Sequence, residues 1–284
     1  MKRLTTILLG LLLTLTANAQ LEGVISQGVV SGGYSAEYQA VYDAMTNPPA
    51  ADTAVFQNTM VVALVAGGFW STQWDVFYVP ANGRLTNAYL NWIAPTGDDN
   101  LTIAAATVTF EAYHGFTGDG IAGSISTNWN PSTEGTLYAK DDCTVAAYAL
   151  LNKNETTVLV GAIESTYPII ALYPRNSGSF QGRLNAATAG ATAAVANSLG
   201  FSMVTRRASN DLETYRNGSS HDDATTASIN IPNTNLTLLS RNASRYSTNT
   251  VGIAMAGASV SDADAAAINT IIEAYMDAIG EGVQ

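Results

Sequence analysis

One cysteine, Cys143, and two histidines, His114 and His221, are all that this chain of 284 residues offers of two residue types that often ligate metals or attack substrates. A single cysteine can form neither an internal disulfide nor a multi-cysteine metal site, so the fold must hold itself by its core. Cys143 lies in the strand-like run Cys-Thr-Val-Ala-Ala-Tyr, where it reads as a small buried hydrophobe. Cationic charge is equally scarce. Lys and Arg number 12 against 23 Asp and Glu, a net charge of −11. Neutralising a phosphate backbone takes clustered Lys and Arg, and the pair Arg206-Arg207 is too short for a basic stripe. Nucleic acid is therefore excluded as a partner, and an anionic membrane surface is disfavoured for the same reason.

The motifs of common chemistry are missing too. There is no Gly-x-Ser-x-Gly elbow and no His-Glu-x-x-His zinc motif. His221-Asp222-Asp223 could supply two members of a triad, but without a nucleophile elbow it reads as a solvated turn. Glu111, Glu155, Glu164 and Glu213 stand alone, whereas a glycosidase needs two carboxylates placed together. Gly118-Asp119-Gly120-Ile121-Ala122-Gly123 matches a dinucleotide fingerprint only formally, because no strand-helix-strand unit surrounds it. Its glycines read as a tight turn. The expectation is a chain that is not an enzyme, with a glycoside hydrolase as a minor alternative.

What is present is apolar and small-polar. Hydrophobic residues make up 47%, enough for a sizeable core, while 12% are charged, about half the usual share. Thr, Ser, Asn and Gly carry the solubility, and they suit strands and turns. The N-terminus has the form of a signal peptide: Lys2-Arg3, an apolar run over 4–15, and Ala17-Asn18-Ala19 as a cleavage site after residue 19. The run is shorter than the roughly 20 residues a membrane span needs, so no membrane span is expected in the mature chain. A flexible lead-in is expected over 20–34 and a small helical segment over 35–66. Tyr38, Val41, Tyr42 and Met45 recur at helical spacing there, and Asp52 is placed to cap a second helix. From 67 to 284 β-favouring runs alternate with turn clusters. Strands are expected at 69–79, 88–93, 101–110, 143–151, 156–164, 168–173, 201–207, 211–216, 236–240 and 250–259, with 185–198 ambiguous. Asn217-Gly218 signals a two-residue hairpin turn. Ser261 with Asp264 signals a capping box opening a last helix, whose stripe is Ile268, Ile272, Tyr275 and Ile279.

Three stretches then carry a resemblance. They are Gly67-Gly68-Phe69-Trp70-Ser71-Thr72-Gln73-Trp74-Asp75-Val76-Phe77-Tyr78; Gly115-Phe116-Thr117-Gly118-Asp119-Gly120 with Ser126-Thr127-Asn128-Trp129-Asn130-Pro131-Ser132; and Glu213-Thr214-Tyr215-Arg216-Asn217-Gly218 with Gly257-Ala258-Ser259-Val260-Ser261. Together they resemble the laminin-G-like, concanavalin A-like jelly rolls of bacteriophage and prophage virion or tail-associated proteins. The resemblance implies an all-β, two-sheet antiparallel jelly-roll sandwich and a carbohydrate-binding or structural role. It implies a surface glycan, or another virion or envelope protein, as partner, and a homo-oligomer is compatible with it. A leader is foreign to virion proteins assembled in the cytoplasm, so the expected location is secreted or cell-surface, with the virion as alternative.

Sugar binding would use aromatic platforms, and Trp129, Tyr138, Tyr173 and Tyr215 are the candidates, with Tyr167 beside them. No cofactor is demanded. The acidic turns at Asp98-Asp99-Asn100, Asp141-Asp142 and Asp222-Asp223 could offer oxygens to calcium, which takes roughly six to eight of them from converging loops.

Overall fold

The computed structural model describes residues 33–284, except 105–106, 188–189 and 243. The leader expected at 1–19, and nearly all of the lead-in, lie outside the described residues. Two antiparallel sheets face each other, with helices covering one of them. The chain is an all-β jelly-roll sandwich with two N-terminal helices and one C-terminal helix.

The helices are α1 (Ala36–Ala44), α2 (Ala51–Ala66) and α3 (Asp262–Ala278). The first sheet runs β13 (Ser219–Ala224), β12 (Asp211–Arg216), β11 (Gly200–Ala208), β6 (Cys143–Ala149), β15 (Thr250–Gly257), β4 (Gly115–Thr117) and β3 (Thr109–Glu111). β1 (Trp74–Tyr78) also pairs with β15. The second runs β10 (Thr192–Ala194), β9 (Ser179–Ala186), β8 (Ile169–Asn176), β7 (Val160–Ile163), β14 (Thr237–Leu238), β5 (Ile125–Ser126) and β2 (Thr102–Ile103).

The central strands of the first sheet, β6, β11 and β15, are buried on both faces, which explains their continuous apolar runs. Val145, Ala147 and Ala149 of β6 point into the inter-sheet core with Val204, Val251 and Ala254. Ala146 and Tyr148 point the other way, into a core shared with Met203, Ile253 and Met255 and with Val41, Leu64, Ile268 and Ile272 of the helices. Each large apolar side chain buried in these layers contributes about 1.5–3 kcal/mol. The second sheet has no helix over it, and its strands alternate. In β9, Phe180 and Leu184 go to the core while Ser179, Gln181 and Arg183 stay partly exposed.

Local signals explain the ends. Ser261 and Asp264 form the reciprocal capping box expected for α3. Asn217 (φ 50°) and Gly218 (φ 75°) make the two-residue turn between β12 and β13. Other expectations are corrected. Asp52 is not a cap: Ala50 precedes α2 without a side-chain bond, and Asp52 sits in the first turn, where its charge suits the helix dipole. The segment 69–79 becomes strand only at Trp74, and 88–93 is not a strand. There Asn91 and Asn100 take over backbone pairing, Asn91 Oδ1 accepting from Phe77 N (3.1 Å) and Asn100 Oδ1 from Asn91 N (2.8 Å). The segment 101–110 splits into β2 and β3. Among the described residues no helix is long and apolar enough to cross a membrane.

Candidate functional site

Register defines the one sheet face that no helix covers. Thr102, Ser126, Thr237, Gly161, Ala171 and Arg183 are successive cross-strand partners from β2 through β5, β14, β7 and β8 to β9. The next row, Ile103, Ile125, Leu238, Val160, Leu172 and Gly182, faces the core. Side chains alternate across a strand, so the first row lies on the outer face. Its middle is small and one end is hydroxylated.

At the hydroxyl end a cleft of about 540 Å³ opens between Ser124, Ser126, Thr234, Thr237, Asn242 and Tyr246. Asn242 and Tyr246, on the loop after β14, form one wall. Asn242 is held there by its amide nitrogen, which donates to the Ile163 carbonyl (2.6 Å) and Thr234 Oγ1 (3.0 Å). Its Oδ1 is buried and has no partner among the described residues. Tyr246 is half-buried on the same loop.

On the other side of the loop lies a small apolar patch of Val158, Ile169, Ala171 and Tyr173, flanked by arginines. The Arg183 guanidinium lies 5.9 Å from the Tyr173 ring centre, over its face. Arg241 crosses Gly161 and reaches the Tyr173 hydroxyl at 3.4 Å. Burial, above all, and the charges of Arg245 and Arg183 hold the Arg241 guanidinium below its ordinary pKa, against the opposing effect of Tyr173.

The four sequence candidates fall elsewhere or are covered. Trp129 is 1% exposed and meets Tyr138 (2%) edge to face at 5.8 Å, and the Tyr138 hydroxyl donates to Asn185 Oδ1 (2.9 Å). Tyr215 is 1% exposed, its hydroxyl donating to Glu213 and Asp262 at 2.8 Å each. Tyr173 (4% exposed) alone belongs to the outer face, and Arg183 covers its ring. Tyr167 is exposed. The residues missed from sequence are Arg183, Arg241, Ser126 and Asn242. The alternation Ser-Phe-Gln-Gly-Arg-Leu in β9 was the available signal for Arg183, since it sets the arginine opposite Phe180 and Leu184.

The remaining acids and histidines are engaged separately. Asp119 Oδ1 accepts from the amides of Ile121, Ala122 and Gly123 at 2.7–2.9 Å, and these bonds hold its carboxyl well below the usual range. The glycine loop thus spends its amides on its own carboxylate. His114 Nδ1 pairs with Glu281 at 2.9 Å, and the His221 ring lies 5.9 Å from Phe180. Asp142 accepts from Ser259 N and Asp222 from Thr192 N. Among the described residues no three His, Cys, Asp or Glu side chains are grouped so as to hold a metal ion.

No family model matches the chain, and no curated protein matches it. Solved structures do. A Trypanosoma rangeli sialidase mutant displaying trans-sialidase activity superposes with a TM-score of 0.53 at 11% identity, over 80% of this chain and 39% of that one. The T. rangeli sialidase in complex with 2,3-difluorosialic acid, a covalent intermediate, gives 0.51 at 13% identity, over 76% and 39%. A mutant of HCR/D gives 0.54 at 11% identity, over 72% and 53%. The chain therefore spans about two fifths of these sialidases. At such identities the likeness shows the fold. It also corrects the expectation that the chain is not an enzyme: sialidases are among the proteins sharing this fold, so missing sequence motifs do not exclude catalysis.

Proposed function

We propose that the chain binds a surface glycan in the cleft on the outer face of the second sheet. One observation carries this reading: among the described residues, the sheet face without a helix over it holds a cleft lined by hydroxyls and by Asn242, whose buried Oδ1 has no partner. Sugar hydroxyls both donate and accept, so they complement Ser, Thr and Asn side chains, and Tyr246 adds a partly exposed ring for the apolar face of a sugar. An unpaired buried acceptor costs stability unless something fills it, which a ligand hydroxyl would do. The solved structures lend support at the level of the fold, since one of the sialidases that share it is seen with a sialic acid derivative. The leader expected at 1–19 would deliver such a site outside a cell, where glycans are displayed.

The test is a glycan array followed by calorimetry on the full chain and on Ser126→Trp, which fills the cleft from an outward position of β5. The wild type should bind a subset of glycans, and Ser126→Trp should weaken that binding by about tenfold or more, equivalent to about 1.4 kcal/mol. A folded wild-type chain that binds nothing on the array rejects the reading.

A further inference from the structure

We infer that the glycan bound at this face carries an anionic group, a carboxylate or a sulfate ester, taken by Arg183 and Arg241 with Arg245 beside them. This rests on the glycan reading above and adds the ligand's charge to it.

The argument starts from an imbalance. The chain is acidic overall, with 12 Lys and Arg against 23 Asp and Glu. In such a protein each arginine ought to find a carboxylate with ease. Arg207 does, pairing with Asp211, Glu213 and Asp262 at once. Among the described residues, none of Arg175, Arg183, Arg241 and Arg245 has a carboxylate within ion-pair distance. Arg206 and Arg216 also lack a carboxylate but donate to backbone carbonyls, whereas among the described residues Arg183 and Arg241, on this sheet face, have neither.

Their donors are also idle. The Nε groups of Arg175, Arg183 and Arg241 are buried and make no hydrogen bond among the described residues. The bonds that do exist are long and go to neutral oxygens, Arg241 to the Tyr173 hydroxyl and Arg245 to the Thr156 carbonyl, both 3.4 Å. Leaving buried guanidinium donors unsatisfied is costly, and a partner removes that cost. A guanidinium presents a planar fork of donors that matches two oxygens of a carboxylate or sulfate. Glu155, whose backbone amide donates to the Arg175 carbonyl, is taken: Ser247 and Thr248 donate to its carboxylate.

Location ties the arginines to the cleft. Arg241 and Asn242 are neighbours on the loop 239–246. The outer row passes without a break from Ser126 and Thr237 in the cleft, across Gly161 and Ala171, to Arg183. A sugar seated at Asn242 can therefore direct a substituent over Gly161 toward the arginines. A nucleic acid fits less well, because the net charge of −11 repels a long polyanion that a short charged sugar would largely escape.

The experiment uses the full chain on an array of neutral, carboxylated and sulfated glycans, with calorimetry of hits in 50 and 500 mM NaCl. Arg183→Gln and Arg241→Gln are measured separately, each checked for an unchanged melting temperature. The glycans bound should carry a carboxylate or sulfate; comparing the two arms identifies which. Either substitution should weaken binding about tenfold or more, and high salt should weaken the wild type, a readout that needs no variant to fold. Hits confined to neutral glycans would overturn the anionic inference and leave the glycan reading standing. No hits at all would overturn both. A short DNA duplex bound as tightly as the best glycan would also overturn it, by reducing the site to unspecific attraction for polyanions.

Discussion

The aliphatic stem of Arg241 rests on the bare backbone of Gly161: a Cβ placed on that glycine would meet Cβ and Cγ of Arg241 at 3.2 Å each. Gly161 and its partner Ala171 form a shallow floor, and the arginine uses it to reach Tyr173. Gly161→Val should lift the stem off this floor. Overpacking costs about 1–3 kcal/mol, partly offset by the preference of valine for strands. The expected result is a modest loss in melting temperature together with loss of preference for charged over neutral glycans in calorimetry. An unchanged preference would show that the position of Arg241 does not matter to binding.

Tyr215 joins the sheet to the start of α3 by donating to Glu213 on its own strand and to Asp262. Arg207 closes the network by pairing with both acids. Tyr215→Phe keeps the buried ring and removes the bolt. It should destabilise the chain by about 1–2 kcal/mol in urea denaturation and leave glycan affinity unchanged. A large loss of affinity with unchanged stability would return Tyr215 to the list of ligand contacts.

What could be read from sequence divides by range. The capping box at Ser261 and Asp264 and the turn at Asn217-Gly218 are local, and both stand as expected. The segment 88–93 looks like a strand because its apolar residues are buried, but side-chain oxygens take its amides, Asn100 that of Asn91 and Asn91 that of Ile93, which periodicity cannot register. The surroundings of the aromatic candidates were hidden for the same reason. Trp129 and Tyr138 look like platforms in isolation, and only the fold places them against each other. The arginines were hidden by being counted over the whole chain, where they are few. Arg183 meets Ala171, and Ala171 meets Gly161, only once three strands are in register.

Among the described residues Glu273 is a buried carboxylate without a cationic partner, held instead by neutral donors. The Tyr148 hydroxyl donates to it at 2.8 Å, the amides of Val283 and Gln284 at 2.7 and 2.9 Å, and the Gln284 side chain at 3.0 Å. One side chain of α3 thereby fastens the segment after the helix to β6. Glu273→Ala strands those donors and should cost about 1–3 kcal/mol in denaturant unfolding. Amide exchange at Val283 and Gln284 should accelerate in step. Unchanged exchange there would show that the fastening comes from packing alone.

Cys143 gives a prediction in pH. Burial, the leading cause, pushes its thiol up from 9.0 to about 12, while the Tyr138 hydrogen bond and Arg206 act in the opposite direction. The Asn185 side-chain amide donates to the sulfur at 3.3 Å. In the native chain the thiol should therefore stay silent toward a disulfide reagent at pH 8 and react stoichiometrically once unfolded. The folded pKa lies above the unfolded one, so the neutral thiol's contribution is fully present below about pH 9. It is lost progressively as pH rises toward about 12, because the unfolded chain releases this proton first. Several buried tyrosines shift the same way, so the thiol's share is read by difference: between pH 8 and 10.5 the melting temperature of the wild type should fall more steeply than that of Cys143→Ala. Parallel slopes would mean that the sulfur is reached by water in the folded chain, and rapid reaction at pH 8 would confirm it.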